Sequence, residues 1–115
     1  MTIAEFKKEI WDFDKQREWK YLGDKSAIVE LYVTWSPQCK KLNLILDELY
    51  EEYAGKLSVH RIDVDKEPEI AKLFFVTTFP LMVFIPREGK PIQILGVFPK
   101  EQIQELIETE LGVRK

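Results

Sequence analysis

The sequence predicts an α/β domain with a central mixed β-sheet flanked by α-helices. Apolar residues recur with strand-like and helix-like spacing in the order strand, helix, strand, helix, strand, strand, helix. The first strong strand, residues 27–33, is a near-continuous run of β-forming residues, as expected where helices cover both faces of a sheet. The last two strands are joined by the short turn 86–90, which implies an antiparallel hairpin. With 115 residues, 45% apolar and 32% charged, the chain reads as one globular domain over 1–115, long enough to bury a core without disulfide or metal staples. An amino-terminal helix and strand extension over 1–26 precedes a core over 27–112.

Each element has its own signal. Thr2 and Glu5 have the spacing of a capping box, predicting a short amphipathic helix through about Lys8. A strand near 10–13 follows. Residues 14–24 are polar and charged around Trp19, Tyr21 and Leu22, and end on the turn signal Gly23-Asp24. Only Glu30 interrupts the apolar strand 27–33. From Cys39 the apolar positions Leu42, Ile45, Leu46, Leu49, Tyr50 and Tyr53 form a helical stripe ended by Gly55, with Lys40, Lys41, Glu48, Glu51 and Glu52 off it. Residues 57–63 alternate as a second strand. A further helix starts over 65–68, with Ile70, Ala71, Phe74 and Phe75 as its buried face. The strand 81–85 is wholly apolar, and 92–95 completes the hairpin. Pro99 opens a last helix with Ile103, Leu106, Ile107 and Leu111 inward and Gly112 just beyond. Parallel crossovers come first and the antiparallel hairpin last. Right-handed crossover places the loop after 27–33 at the carboxyl edge of the sheet, where open α/β sheets bind ligands.

Composition removes several classes of function. A net charge of −3 with interspersed signs gives no basic footprint, so neither nucleic acid nor an anionic surface is an expected partner. No run approaches the roughly 18 apolar residues of a membrane span, and the first ten residues lack the charged-then-apolar order of a secretory signal. The chain is expected to be soluble and cytoplasmic. One cysteine rules out an internal disulfide framework, and with a single histidine, His60, a metal centre has few candidates. No cofactor is expected, and His60 reads as structural or solvated.

The chemistry concentrates in Thr34-Trp35-Ser36-Pro37-Gln38-Cys39-Lys40. Ser36 stands three residues before Cys39, so both fall on one face of a first helical turn, where unpaired amides and the positive end of the helix dipole favour a thiolate. Two sulfurs at this spacing would form a reversible disulfide. A serine oxygen cannot, which denies this molecule an intramolecular dithiol cycle. A lone cysteine is otherwise most often a small buried hydrophobe. Trp35 either contacts partner chains or packs in the core. Pro37 restrains the turn and removes one donor. Glu30, an acid within an apolar strand, is either buried with its pKa raised or reaches solvent at a strand end. Asp63 and Asp65 are explained by strand-end and helix-capping roles.

Over residues 27–111 the pattern resembles the thioredoxin family. Trp35-Ser36-Pro37-Gln38-Cys39-Lys40 is similar to that family's Trp-Cys-x-x-Cys-Lys signature with serine at the first cysteine; Thr78-Phe79-Pro80 falls at its cis-proline loop; and Gly96 matches a glycine after the last strand. Proline directly follows Ser36, where the commonest family version has it directly before the second cysteine. The resemblance implies a thioredoxin-like fold and a monomer. It also implies a cis Pro80 facing the redox site, and Phe79 backbone groups that hold an extended substrate chain like an added strand. Its first cysteine is the exposed attacking thiolate and its second resolves the mixed disulfide, so Ser36 removes the attacker and Cys39 lies one turn deeper. Glu30 matches a buried acid that moves a proton to or from the second sulfur, and Arg61 stands where a lysine often accompanies that acid.

The implied catalytic positions are Ser36, Cys39 and Glu30, and the implied substrate-binding positions are Trp35, Pro37, Thr78, Phe79, Pro80 and Gly96. The implied partners are protein thiols or disulfides in extended conformation and an electron donor of the thioredoxin reductase type. Three readings stay open: a thiol-disulfide oxidoreductase of protein disulfide reduction and redox homeostasis with its first cysteine replaced by serine, a single-cysteine peroxidase-like enzyme in which Cys39 becomes a sulfenic acid, and a non-catalytic peptide-binding module.

Overall fold

A central strand with one parallel and one antiparallel neighbour organises the computed structural model, which describes residues 1–115. The elements are α1 (Ile3–Glu9), β1 (Ala27–Tyr32), α2 (Pro37–Glu52), β2 (Ser58–Asp63), α3 (Glu69–Leu73), β3 (Leu81–Ile85), β4 (Ile92–Leu95) and α4 (Lys100–Glu110). The sheet order is β2-β1-β3-β4. β1 pairs parallel with β2 and antiparallel with β3, and β3 pairs antiparallel with β4 as the hairpin predicts.

Both faces of β1 are buried, and alternation divides its side chains between two cores. Ala27, Val29 and Leu31 join Phe6, Ile10, Ile62, Ile70, Phe74, Val83 and Ile85 on one face. Ile28 joins Leu42, Leu46, Leu49, Tyr53, Met82, Phe84, Ile103 and Ile107 on the other. Tyr50, placed on the α2 stripe by spacing, lies at its edge and is exposed. No helix is long and apolar enough to cross a membrane.

Only the first crossover is parallel, contrary to the sequence expectation. The five residues of α3 rise about 7.5 Å. β1 and β2 each span about 20 Å, and the seventeen residues 64–80 between β2 and β3 do not cross back along that length. The chain enters β3 from the carboxyl edge instead, with Leu81 opposite Leu31.

The predicted strand near 10–13 does not form. The capping box of α1 is complete, with Glu5 N–H donating to Thr2 Oγ1 (3.1 Å) and Thr2 N–H donating to Glu5 Oε1 (2.9 Å). Beyond the helix the backbone donors are spent locally: Trp11 N–H on Phe6 O (3.1 Å), Phe13 N–H on Trp11 O (3.1 Å), and Lys15 and Gln16 N–H on Asp12 O. Aromatic packing joins this segment to the domain: Trp11, Phe13, Trp19 and Tyr21 pack against the buried cluster on that face and Phe13 meets Phe6 of α1, while Trp11 against Phe13 and Trp19, and Trp19 stacked on Tyr21, hold the segment together.

Phe75 also departs from its predicted place in the buried face of α3. The helix ends at Leu73, Phe74 caps it, and Phe75 takes the left-handed conformation (φ 54°) with its ring 95% exposed. Val76 N–H reaches back to Ala71 O (3.0 Å), and Val76 supplies the apolar contact below. Glycine normally fills such a post-helical position, because a left-handed residue bearing a Cβ costs about 1–2 kcal/mol.

Candidate functional site

The carboxyl end of β1 delivers the chain to α2 through Val33 to Ser36, and Ser36 is the N-cap of that helix. Its backbone is extended (φ −91°, ψ 123°), Cys39 N–H donates to its Oγ (3.4 Å), and its hydroxyl donates to Gln38 Oε1 (3.4 Å). Pro37 occupies the first helical position, where a missing N–H costs nothing. The helix thus starts two residues before Cys39. Ser36 is buried, whereas the resemblance implies an exposed first position. The difference follows from the cap, which holds the oxygen inward over the amides of the first turn.

Cys39 is 1% exposed and shares a buried cluster with Val33, Val64 and Leu81, against which Phe79 packs. Trp35 is 73% exposed, which excludes the core-packing alternative. Its indole Nε1–H donates to Asp65 Oδ2 (3.2 Å), and Asp65 N–H donates to Asp63 Oδ1 (3.0 Å). Asp65 therefore tethers the tryptophan, a job its sequence position does not disclose. Asp63 orders the turn beneath it.

Glu30 is completely buried and does not reach solvent. Parallel register sets it level with Arg61 on β2, and Arg61 Nε–H donates to its Oε1 (3.2 Å). Arg61 Nη2–H also donates to Asn43 O (2.9 Å) and Asp47 Oδ1 (2.7 Å), tying β1 and β2 to α2. With the Asn43 amide turned so that its nitrogen faces acceptors, that nitrogen lies 2.8 Å from Glu30 Oε2, 2.5 Å from Glu30 Oε1 and 3.1 Å from Cys39 O. Burial pushes the Glu30 carboxyl up to about 7, against the pull of the Arg61 charge and hydrogen bond, while Asp47 adds to the rise. Asn43 is absent from the sequence reading. Its signal is the row Cys39, Asn43, Asp47 at i, i+4, i+8, three polar or sulfur-bearing positions along one line of α2.

The segment before β3 packs, through Phe79, on the buried cluster that holds Cys39. The Phe79–Pro80 bond is cis, Pro80 is buried, and Pro80 O accepts a hydrogen bond from Gly96 N–H (2.9 Å). Gly96 has φ 103°, a conformation that favours glycine, and so anchors the loop from beyond β4. Thr77, Thr78 and Phe79 lie outside any helix or strand, and their backbone N–H and C=O groups make no hydrogen bond within the chain. Five surface cavities are lined without Ser36, Cys39 or Pro80. The candidate site therefore presents a surface strip of free main-chain groups on Thr77 to Phe79, termed the groove, with the donors and acceptors that pair with an extended chain.

Comparison with known proteins agrees with this geometry. The family model described as thioredoxin matches residues 3–109, which takes in α1 as well as the core. The chain is 30% identical over 112 residues to the thioredoxin of Borreliella burgdorferi, covering 97% of this chain and 96% of that one. It is 34% identical over 85 residues to the thioredoxin of Staphylococcus saprophyticus, covering 73% and 81%. Among solved structures, chloroplastic thioredoxin z superposes with a TM-score of 0.78 at 25% identity, covering 93% of this chain and 88% of that one.

Proposed function

The chain belongs to the thioredoxin family, and on that premise we propose that its groove receives extended protein chains bearing thiols or disulfides, with the dithiol cycle of a thiol-disulfide oxidoreductase silenced at Ser36. The observation that carries this reading is the N-cap serine one turn before a buried cysteine, on a scaffold that leaves the main chain of Thr77 to Phe79 unpaired.

The missing step is the first. In the Ser36→Cys protein the introduced thiolate attacks a substrate disulfide, forming a mixed disulfide and expelling one substrate thiolate. Cys39 then attacks the introduced sulfur, releasing the second substrate thiolate and closing an intramolecular disulfide. Glu30 takes the Cys39 proton, directly or through water, with the Asn43 amide holding the carboxylate toward that turn of α2. An external dithiol, or an electron donor of the reductase type, reopens the disulfide. Serine blocks the first attack because its hydroxyl is not appreciably ionised near neutrality and no base adjoins it.

The decisive experiment is dithiothreitol-driven reduction of insulin disulfides. The Ser36→Cys protein turns over and the unmodified chain does not. A folded Ser36→Cys protein without turnover, or an unmodified chain that matches it, defeats the proposal. The N-cap bond also favours the peptide-binding module, since the serine does useful structural work without any chemistry. Burial of Cys39 opposes the peroxidase-like reading, which requires peroxide to reach that sulfur.

A further inference from the structure

We infer that Phe75 is a recognition residue for an apolar side chain of the bound partner, placed a few residues along from the stretch that pairs with Thr77 to Phe79. The inference rests on the groove receiving an extended chain, and it concerns which chains the groove prefers.

Phe75 is costly to the fold in two independent ways. Its φ of 54° is one that a bulky L-residue rarely adopts, and its ring is 95% exposed, with no aromatic or cationic partner. Glycine at this position would relieve the backbone and forfeit almost no burial. The conformation is nonetheless held firmly from both sides: Phe75 N–H donates to Lys72 O (3.2 Å) and Val76 N–H to Ala71 O (3.0 Å), with Val76 packed on the core. A strained and over-determined residue beside a candidate site points to a use outside folding.

Its position fits that use. Phe75 and Phe79 are four residues apart, so at most about 14 Å of chain separates them. An extended partner hydrogen-bonded at Phe79 covers that distance in about four of its own residues, and every second side chain faces the same way. Lys72, Thr77 and Thr78 around Phe75 are exposed and polar, the surround expected of an aromatic anchor. The structure therefore selects an apolar residue, aromatic above all, at an offset from the pairing stretch.

The test needs no sulfur chemistry, so it succeeds or fails independently of the Ser36→Cys turnover assay. A series of cysteine-free ten-residue peptides of serine and threonine carries one phenylalanine moved along its length, with an all-polar peptide as reference. Binding to the unmodified chain is followed by NMR through the amide signals of Thr77, Thr78 and Phe79. One placement of the phenylalanine binds roughly tenfold tighter than the reference. In Phe75→Ala that preference disappears while the reference peptide binds as before. Phe75→Gly also loses the preference and melts about 3–6 °C higher. A preference that survives Phe75→Ala, a Phe75→Gly protein that melts lower than the parent, or peptides that leave these amide signals unmoved each overturns the inference.

Discussion

Ser36 exchanges reactivity for a helix cap. Serine is among the best N-cap residues and a thiol is a weak acceptor, so Ser36→Cys is expected to lower stability by about 1 kcal/mol when kept reduced. Urea unfolding with excess reductant measures this, and Ser36→Asp, which retains an acceptor, serves as the control that keeps its stability. Glu30 brings a pH dependence of determinate sign. Its folded pKa of about 7 lies above the ordinary 4.5, so between these values the folded chain holds a proton that the unfolded chain has released. Stability from this group is complete below the unfolded value and falls as pH rises through the folded one, by on the order of 3 kcal/mol. Urea midpoints from pH 5 to 8 should show a decline in the parent that Glu30→Gln removes. His60, whose pKa burial lowers, works in the opposite direction and is common to both proteins. Phe75 shows the limit of reading spacing alone: the stripe Ile70, Ala71, Phe74, Phe75 assumes another turn of helix, and the helix stops first.

At the scale of elements, the strand and helix patterns were legible because burial imposes their periods directly on the residues. β1, α2, β3, β4 and α4 all lie where their apolar spacing puts them. Residues 10–13 failed because a strand also needs a partner edge, and the local turns had taken the donors. Glu30 and Arg61 were legible as candidates, while their joint clamp with Asn43 and Asp47 depends on β1, β2 and α2 meeting. Arg61→Leu should therefore cost roughly 2 kcal/mol at pH 8, discounted from a fully buried pair because the arginine is partly exposed. At pH 5 the loss shrinks, since the carboxyl is then protonated and needs no cation. Chemical unfolding at the two pH values checks both figures.

Across the whole molecule, stability and availability are distributed unequally. β1 and β3 are buried along nearly their whole length, whereas Thr77 to Phe79 have unpaired amides and 14–20 lies largely exposed. Hydrogen exchange should leave β1 and β3 amides protected longest and those of Thr77 to Phe79 exchanging fastest among residues 75–85. Slow exchange at Thr78 and Phe79 would mean that the groove is closed by internal pairing. The sequence by itself determined the alternation of strands and helices, the hairpin, and the absence of a second cysteine, because these follow from local periodicity and composition. Tertiary structure alone decided that Asn43 joins Glu30 to the Cys39 turn, that Asp65 holds Trp35, and that Phe75 points into solvent. Those contacts join residues from different elements or depend on where a helix stops, and no spacing along one element encodes which neighbour another will bring.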